Sequence, residues 1–244
     1  MTDVLSQDEI EKLLSSINCG YDNDNKEPAI SDENNDSEKY AFRDEDDAYY
    51  KFSKEQIRGI SLIHEKFARM AKNNFLDEMR SYVNINVAST TQLSIRDFYR
   101  STPDPAVIGI FSMEPLKGCA MLEIDPVFIS TVISGICGGI FVEKKLNSEL
   151  TDIGKSIMEF VFNLFLEDLK EAWSEIIDIQ PKLVMIETHP FSIQLYPLKE
   201  SHALITFETY MRGEEGMINL CLPYPLIEPV LNKFSYFARE KNEQ

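Results

Sequence analysis

The side chains of this 244-residue chain with the most capacity for chemistry are three histidines and four cysteines, and their spacing argues against chemistry. His64, His189 and His202 stand far apart and show no metal-ligand spacing. Cys19, Cys119, Cys137 and Cys221 are scattered singly, with no C-x-x-C pair and no disulfide framework; they read as small buried or half-buried thiols in a reducing compartment. There is no P-loop, no G-x-S-x-G elbow and no dinucleotide fingerprint. The sequence therefore implies no catalytic residues, no metal and no cofactor.

The spacing that does carry information is built for recognition. In Leu5-Ser6-Gln7-Asp8-Glu9-Ile10-Glu-Lys-Leu13-Leu14, Ser6 fits an N-cap and Glu9 follows three residues later, the pattern of a capping box. Leu5 outside the cap faces Ile10 as a hydrophobic staple. Leu5, Ile10, Leu13, Leu14 and Ile17 recur at helical spacing as one apolar stripe, and Asp8 and Glu9 suit the positive end of the helix dipole. A helix of about twelve residues is marginal alone in water, so its stripe needs a partner surface. It is either a bait that folds into a groove on another protein or a terminal helix docked on its own domain.

What must position this bait is a tether. Residues 1–50 hold 15 acids and 4 bases, a net of −11, leaving −6 of the total −17 for the remainder. Residues 19–50 are Asn, Asp, Glu, Ser and Lys with few apolar side chains, too little to offset chain entropy, and are expected to be a disordered acidic linker. Such a coil reaches on the order of 30 Å and holds a captured partner near the body at raised local concentration. No basic patch marks a nucleic-acid binder, and the charge sign argues against one. No run of 18 apolar residues spans a membrane, and the acidic start is not a secretory signal.

From residue 51 the pattern becomes that of a packed domain. Ile57, Ile60, Leu62, Ile63, Phe67, Met70, Ala71, Phe75, Met79 and Tyr82 predict one long helix over roughly 54–82. Val83–Val87 alternates as a strand, and residues 92–100 read as a short strand or turn. Val107–Met113 and Cys119–Ile124 predict a hairpin, and Asp125-Pro126 opens a helix to about Ile136. The same grammar then repeats: a helix from Thr151 to Trp173 with Ile153, Ile157, Phe160, Val161, Leu164 and Ala172 on one face, a strand near Ile179–Glu187, and a proline-containing loop. A hairpin over Ala203–Tyr210 and Gly216–Leu222 and a last helix to about Phe234 complete it. Two helix–strand–hairpin–helix halves, offset by about 95 residues, predict an α/β domain with a pseudo-two-fold axis, one pooled sheet and long helices packed on it.

These residues carry a resemblance. Leu5–Leu14 resembles the N-terminal peptide of the FliM family of flagellar motor switch proteins. His64-Glu-Lys-Phe67-Ala68-Arg69, Ser101-Thr-Pro103-Asp-Pro105, Leu116-Lys-Gly118-Cys-Ala120, Leu166-Glu-Asp-Leu-Lys-Glu-Ala-Trp173 and Pro223-Tyr-Pro-Leu-Ile-Glu228-Pro229 resemble its middle domain. The resemblance implies a switch subunit without catalysis: residues 1–18 binding phosphorylated CheY, an acidic linker over 19–50, and a CheC-like middle domain over 51–234 that contacts FliG and neighbouring FliM copies. It implies a place at the flagellar basal body, on the cytoplasmic face of the inner membrane. Residues 235–244 read as a polar tail. The family's β-rich FliN-binding domain is expected to be absent, the chain being either a piece cut before it or a naturally short paralogue.

One departure concerns the FliG-binding loop. The family's Gly-Gly-x-Gly turn is matched by Gly138-Gly139-Ile140-Phe141, with an aromatic where the last glycine supplies backbone freedom. The plainer alternative is that Gly138–Gly139 end a helix. A second departure bears on the related CheC and CheX phosphatases, which position water with a carboxylate and an amide on one helix face. At the matching spacing stand Ser156, Phe160 and Asn163, and on the first long helix His64, Ala68 and Ala71. Neither set both polarises and orients a water, so a phosphatase is the alternative function and an adaptor the leading one.

Overall fold

The computed structural model describes residues 51–79, 82–136 and 151–241. The peptide Leu5–Leu14, the acidic linker and the Gly138–Phe141 loop lie outside the described residues. A reciprocal capping box starts the first long helix, α1 (Lys54–Met79): the Gln56 amide donates to Ser53 Oγ at 3.2 Å, and the Ser53 amide donates to Gln56 Oε1 at 2.8 Å. Its stripe Ile60, Ile63, Phe67, Ala71 and Phe75 is fully buried. Tyr82, expected in this helix, lies beyond its end and is 58 % exposed.

Six antiparallel strands follow: β1 (Val83–Ser94), β2 (Val107–Glu114), β3 (Leu116–Ile124), β4 (Gln180–Glu187), β5 (Ser201–Met211) and β6 (Glu214–Pro223). They lie in the order β1-β5-β6-β3-β2-β4. Exchanging each strand of the first half (β1, β2, β3) for its counterpart in the second (β4, β5, β6) reverses this order onto itself. The pseudo-two-fold axis therefore passes between β3 and β6, whose register runs Met121 opposite Cys221 to Ile124 opposite Ile218. Each half lends its lone strand to the other's hairpin, β1 beside β5 and β4 beside β2, so neither half can close its sheet alone.

The remaining helices are α2 (Ile95–Ser101), α3 (Pro126–Ile136), α4 (Asp152–Trp173), α5 (Tyr224–Ile227) and α6 (Leu231–Glu240). One sheet face packs against α1 and α4 through Val107, Phe111, Ala120, Leu122, Ala203, Ile205, Phe207 and Leu220. The approach is close: a Cβ on Gly109 would lie 2.5 Å from the Phe162 ring of α4. The opposite face holds a smaller cluster, Ile108, Ile110, Met121, Leu204 and Cys221, beneath Ile95, Phe98, Tyr99 and Ile193. Tyr196 pins that cover by donating its hydroxyl hydrogen to Cys119 O and accepting from Cys119 N, both at 3.0 Å.

Several boundaries differ from expectation. The stretch 92–100 is not a short strand or turn: β1 runs on to Ser94, which caps α2 by accepting from the Asp97 amide at 3.2 Å. The second hairpin turns through only Arg212 and Gly213, with φ of 54° and 94°, the left-handed pair of a two-residue turn, so its strands are longer than the apolar alternation showed. The last helix is broken into α5, a 3₁₀ turn at Glu228–Val230 and α6, and α6 reaches Glu240 with Ala238 buried, past the expected end near Phe234. Amphipathic spacing through Phe234 and Ala238 sustains it.

Candidate functional site

An open apolar concavity among the described residues lies where three helices end or begin. Thr151 caps α4, its Oγ1 accepting from the Gly154 amide at 3.2 Å. Asp125 starts α3 by accepting from the Val127 amide at 2.6 Å. The last residues of α3, Gly135 and Ile136, the first half of α4 (Asp152, Ile153, Ser156, Ile157, Phe160) and Glu78 from α1 line a groove of about 690 Å³. Its apolar side chains are exposed: Ile153 71 %, Phe160 47 % and Ile136 44 %. Arg212 of the β5–β6 turn stands over the end of α3, its guanidinium 3.4 Å from where a Gly135 Cβ would sit. The groove is flanked in sequence by residues 137–150, which contain the Gly138–Phe141 motif.

This corrects the expected apolar face of α4. Ile153 and Phe160 are exposed and do not form the core stripe; Met158, Val161, Phe162, Phe165, Leu166, Leu169, Ala172 and Trp173 do, with Ile157 and Leu164 partly buried against it. The helix carries two apolar stripes, and the sheet covers only one. Simple periodicity merges them, because adjacent apolar pairs such as Phe160–Val161 satisfy both.

Among the described residues the groove does not assemble the carboxylate–amide set expected of CheC-like phosphatase chemistry. Ser156 and Phe160 line it, but Asn163, though exposed, is not among its lining residues, and Phe160 supplies no acid. On α1, His64, Ala68 and Ala71 are all buried. Aligning the starts of α1 and α4 places Arg58, Leu62 and Glu65 opposite Ser156, Phe160 and Asn163 instead. His64 is a core group: its Nδ1 lies 2.7 Å from Ile60 O, and Trp173 Nε1–H donates to its Nε2 at 3.4 Å. Burial pushes its pKa down to about 4, so it is neutral near pH 7. Trp173 is likewise core.

The other titratable groups are dispersed. His202 is buried under Phe98, and burial lowers its pKa to about 4. His189 Nδ1 lies 2.9 Å from Asp104 Oδ1 at the surface. Glu123 on β3 accepts from Asn219 Nδ2 at 2.5 Å; burial raises it to about 7. Asp168 on α4 accepts from Asn74 on α1, and burial raises it to about 7. Among the described residues no three His, Cys, Asp or Glu side chains gather to hold a metal, and no helix is long and apolar enough to cross a membrane. What the geometry shows is an exposed apolar groove without an assembled set of reactive groups among the described residues. Its exposed apolar character, and the part Glu78 plays, were not legible in the sequence.

Comparison with known proteins bears on the family and the fold. The family model described as flagellar motor switch protein FliM matches residues 53–237. A FliM of Treponema pallidum is 43 % identical over 235 residues, covering 96 % of this chain and 67 % of the relative. The chain spans about two thirds of the length of the curated relatives it matches. Among solved structures, the FliM middle domain from H. pylori is 30 % identical with a TM-score of 0.68, covering 74 % of this chain and 99 % of that one. A FliG–FliM complex from the same organism gives 30 % identity and a TM-score of 0.71, with the same coverage. FliM proteins are structural components of the flagellar motor switch and not enzymes. With 185 residues from 53 to 237 matched and a fold shared with solved middle domains, the chain belongs to the FliM family of flagellar motor switch proteins.

Proposed function

We propose that this chain is a motor switch subunit at the flagellar basal body, on the cytoplasmic face of the inner membrane, that couples phosphorylated CheY to FliG and packs beside copies of itself. Residues 1–18 are the CheY-binding peptide, with Leu5, Ile10, Leu13 and Leu14 as its apolar anchors. Residues 19–50 are the tether, and the domain from residue 51 is the FliG-contacting body, through Gly138, Gly139, Ile140 and Phe141. FliN enters as a partner only through a further domain of the kind longer relatives carry.

The observation that carries this reading is the exposed groove of Ile136, Ile153 and Phe160, whose lining residues flank the Gly138–Phe141 motif in sequence. Apolar side chains concentrated on one surface mark a protein contact. The FliG–FliM complex of a 30 % identical relative supports FliG as that contact. A captured regulator shifts the switch only by binding one arrangement of the body better than another, and a coupling of about 1–3 kcal/mol per site is ordinary.

Two binding measurements on the full chain test the reading. Leu5→Ala and Ile10→Ala should each weaken phosphorylated CheY several-fold while the domain stays folded; unchanged affinity in both would remove the peptide from the account. FliG should co-purify with the wild-type chain. If it does so only after Phe141→Gly, the chain is a diverged paralogue that has lost its seat in the ring.

A further inference from the structure

The groove exists because α1 and α4 lie side by side with opposite directions. His64 meets Trp173, Lys66 meets Glu175 at 2.6 Å, Asn74 meets Asp168, and Glu78 lines the groove with Ile153 to Phe160. The Asn74–Asp168 hydrogen bond is the polar cross-seam contact nearest the groove among the described residues, with the stacked Phe75 and Phe165 rings between it and the groove. Asn74 is one helical turn before Glu78, and Asp168 is two turns past Phe160, about 12 Å along the axis. Asp168 is 1 % exposed, and its Oδ2 has no hydrogen-bond partner among the described residues. A buried carboxylate served by one amide is costly when ionised and serviceable when protonated. Such a group is a poor choice for stability alone, since an apolar pair would fill the seam at no electrostatic cost.

We infer that Asp168 and Asn74 are positioning residues for the docking groove, and that their hydrogen bond sets the placement of α4 against α1 on which the groove's shape depends. This rests on the reading of the groove as a docking site. The groups that act on Asp168 are few. Burial raises its pKa first, the Asn74 hydrogen bond opposes this, and Glu171 and Glu167 on its own helix raise it further, to about 7. From α1 the group that faces it is the neutral Asn74, and no cation pairs with it among the described residues. Near neutrality the seam therefore changes charge, and ionised Asp168, desolvated and crowded by two acids, loosens the seam by more than its strengthened hydrogen bond from Asn74 holds it.

The test follows the groove directly, by methyl NMR of Ile136, Ile153 and Ile157 in the full chain from about pH 5.5 to about pH 8. The three methyls should titrate together with a midpoint near 7. Asp168→Asn should abolish the transition, and Asn74→Ser, which removes the opposing hydrogen bond, should move the midpoint upward. Glu123→Gln, remote on β3, should leave it in place. FliG affinity of the wild-type chain should fall several-fold from pH 6 to pH 8 and stay constant in Asp168→Asn. Methyls that do not titrate, or that titrate unchanged in Asp168→Asn or vanish in Glu123→Gln, overturn the inference. Methyls that follow Asp168 while FliG binds neither chain at any pH support the seam and overturn the docking reading instead.

Discussion

The starts of α1 and α4 are counterparts across the pseudo-two-fold axis, and their fates differ. In the first half α6 lies on α1 so closely that a Cβ on Gly59 would come within 2.1 Å of the Phe234 carbonyl oxygen. Glu55 reaches Arg239 of α6 at 2.6 Å. In the second half the equivalent positions are Ile157 and Ile153, which line the groove, Ile153 being 71 % exposed. A glycine admits a covering helix where an isoleucine at the same place leaves an open apolar groove. One architecture used twice thus gives one sealed end and one exposed end, and the exposed end is where a partner can bind. Symmetry supplies the fold and its local failure supplies the site.

The contrast can be broken most forcefully at Gly59. Gly59→Ala places a methyl against backbone that cannot step aside, and should cost about 3 kcal/mol in denaturant unfolding. Its counterpart Ile157→Ala should cost about 1–2 kcal/mol, the loss of a partly buried side chain. A smaller effect is expected from Phe160→Asp, which should reduce FliG affinity at least tenfold, about 1.4 kcal/mol, with unfolding changed by no more than about 0.5 kcal/mol. Leu62→Ala, at the matching place on α1, should leave FliG affinity unchanged. Least of all should come from Lys66→Met, which breaks the part-exposed pair with Glu175 and is worth under about 1 kcal/mol.

Acidity sharpens the comparison in a different way. Asp168 and Glu123 keep a proton in the fold up to about 7 that the unfolded chain releases at the ordinary values of 3.8 and 4.5. Across that window the unfolded state binds fewer protons, so their contribution to stability is lost as pH rises. His64 and His202 take up a proton at 6.5 when unfolded but only near 4 when folded, so their contribution is lost as pH falls. The two pairs oppose each other between about 4 and 6.5, and the wild-type stability should be nearly flat there. The double variant Asp168→Asn with Glu123→Gln should instead gain stability steadily across that range, read from unfolding midpoints at each pH.

The two-half architecture was legible in the sequence because each half repeats the same succession of periodicities, and the long helices announced themselves through stripes such as Ile60, Ile63, Phe67, Ala71 and Phe75. The helix Ile95–Ser101 was missed although Ser94 and Asp97 carry a capping pattern, because it is too short to show a stripe. The docking groove was hidden for a different reason. Ile153 and Phe160 look like core residues, and only the tertiary packing of α4, whose other face meets the sheet, decides that they are not. Glu78 and Ile136 join them from other elements, a juxtaposition that no local pattern encodes.

The most direct test is calorimetric titration of FliG into the full chain, comparing wild type with Phe160→Asp at the open end and Leu62→Asp at its counterpart. The account predicts that wild type and Leu62→Asp bind alike and that Phe160→Asp loses at least tenfold. Equal binding by wild type and Phe160→Asp would contradict it, and would mean that the uncovered end of α4 is not where this chain meets FliG.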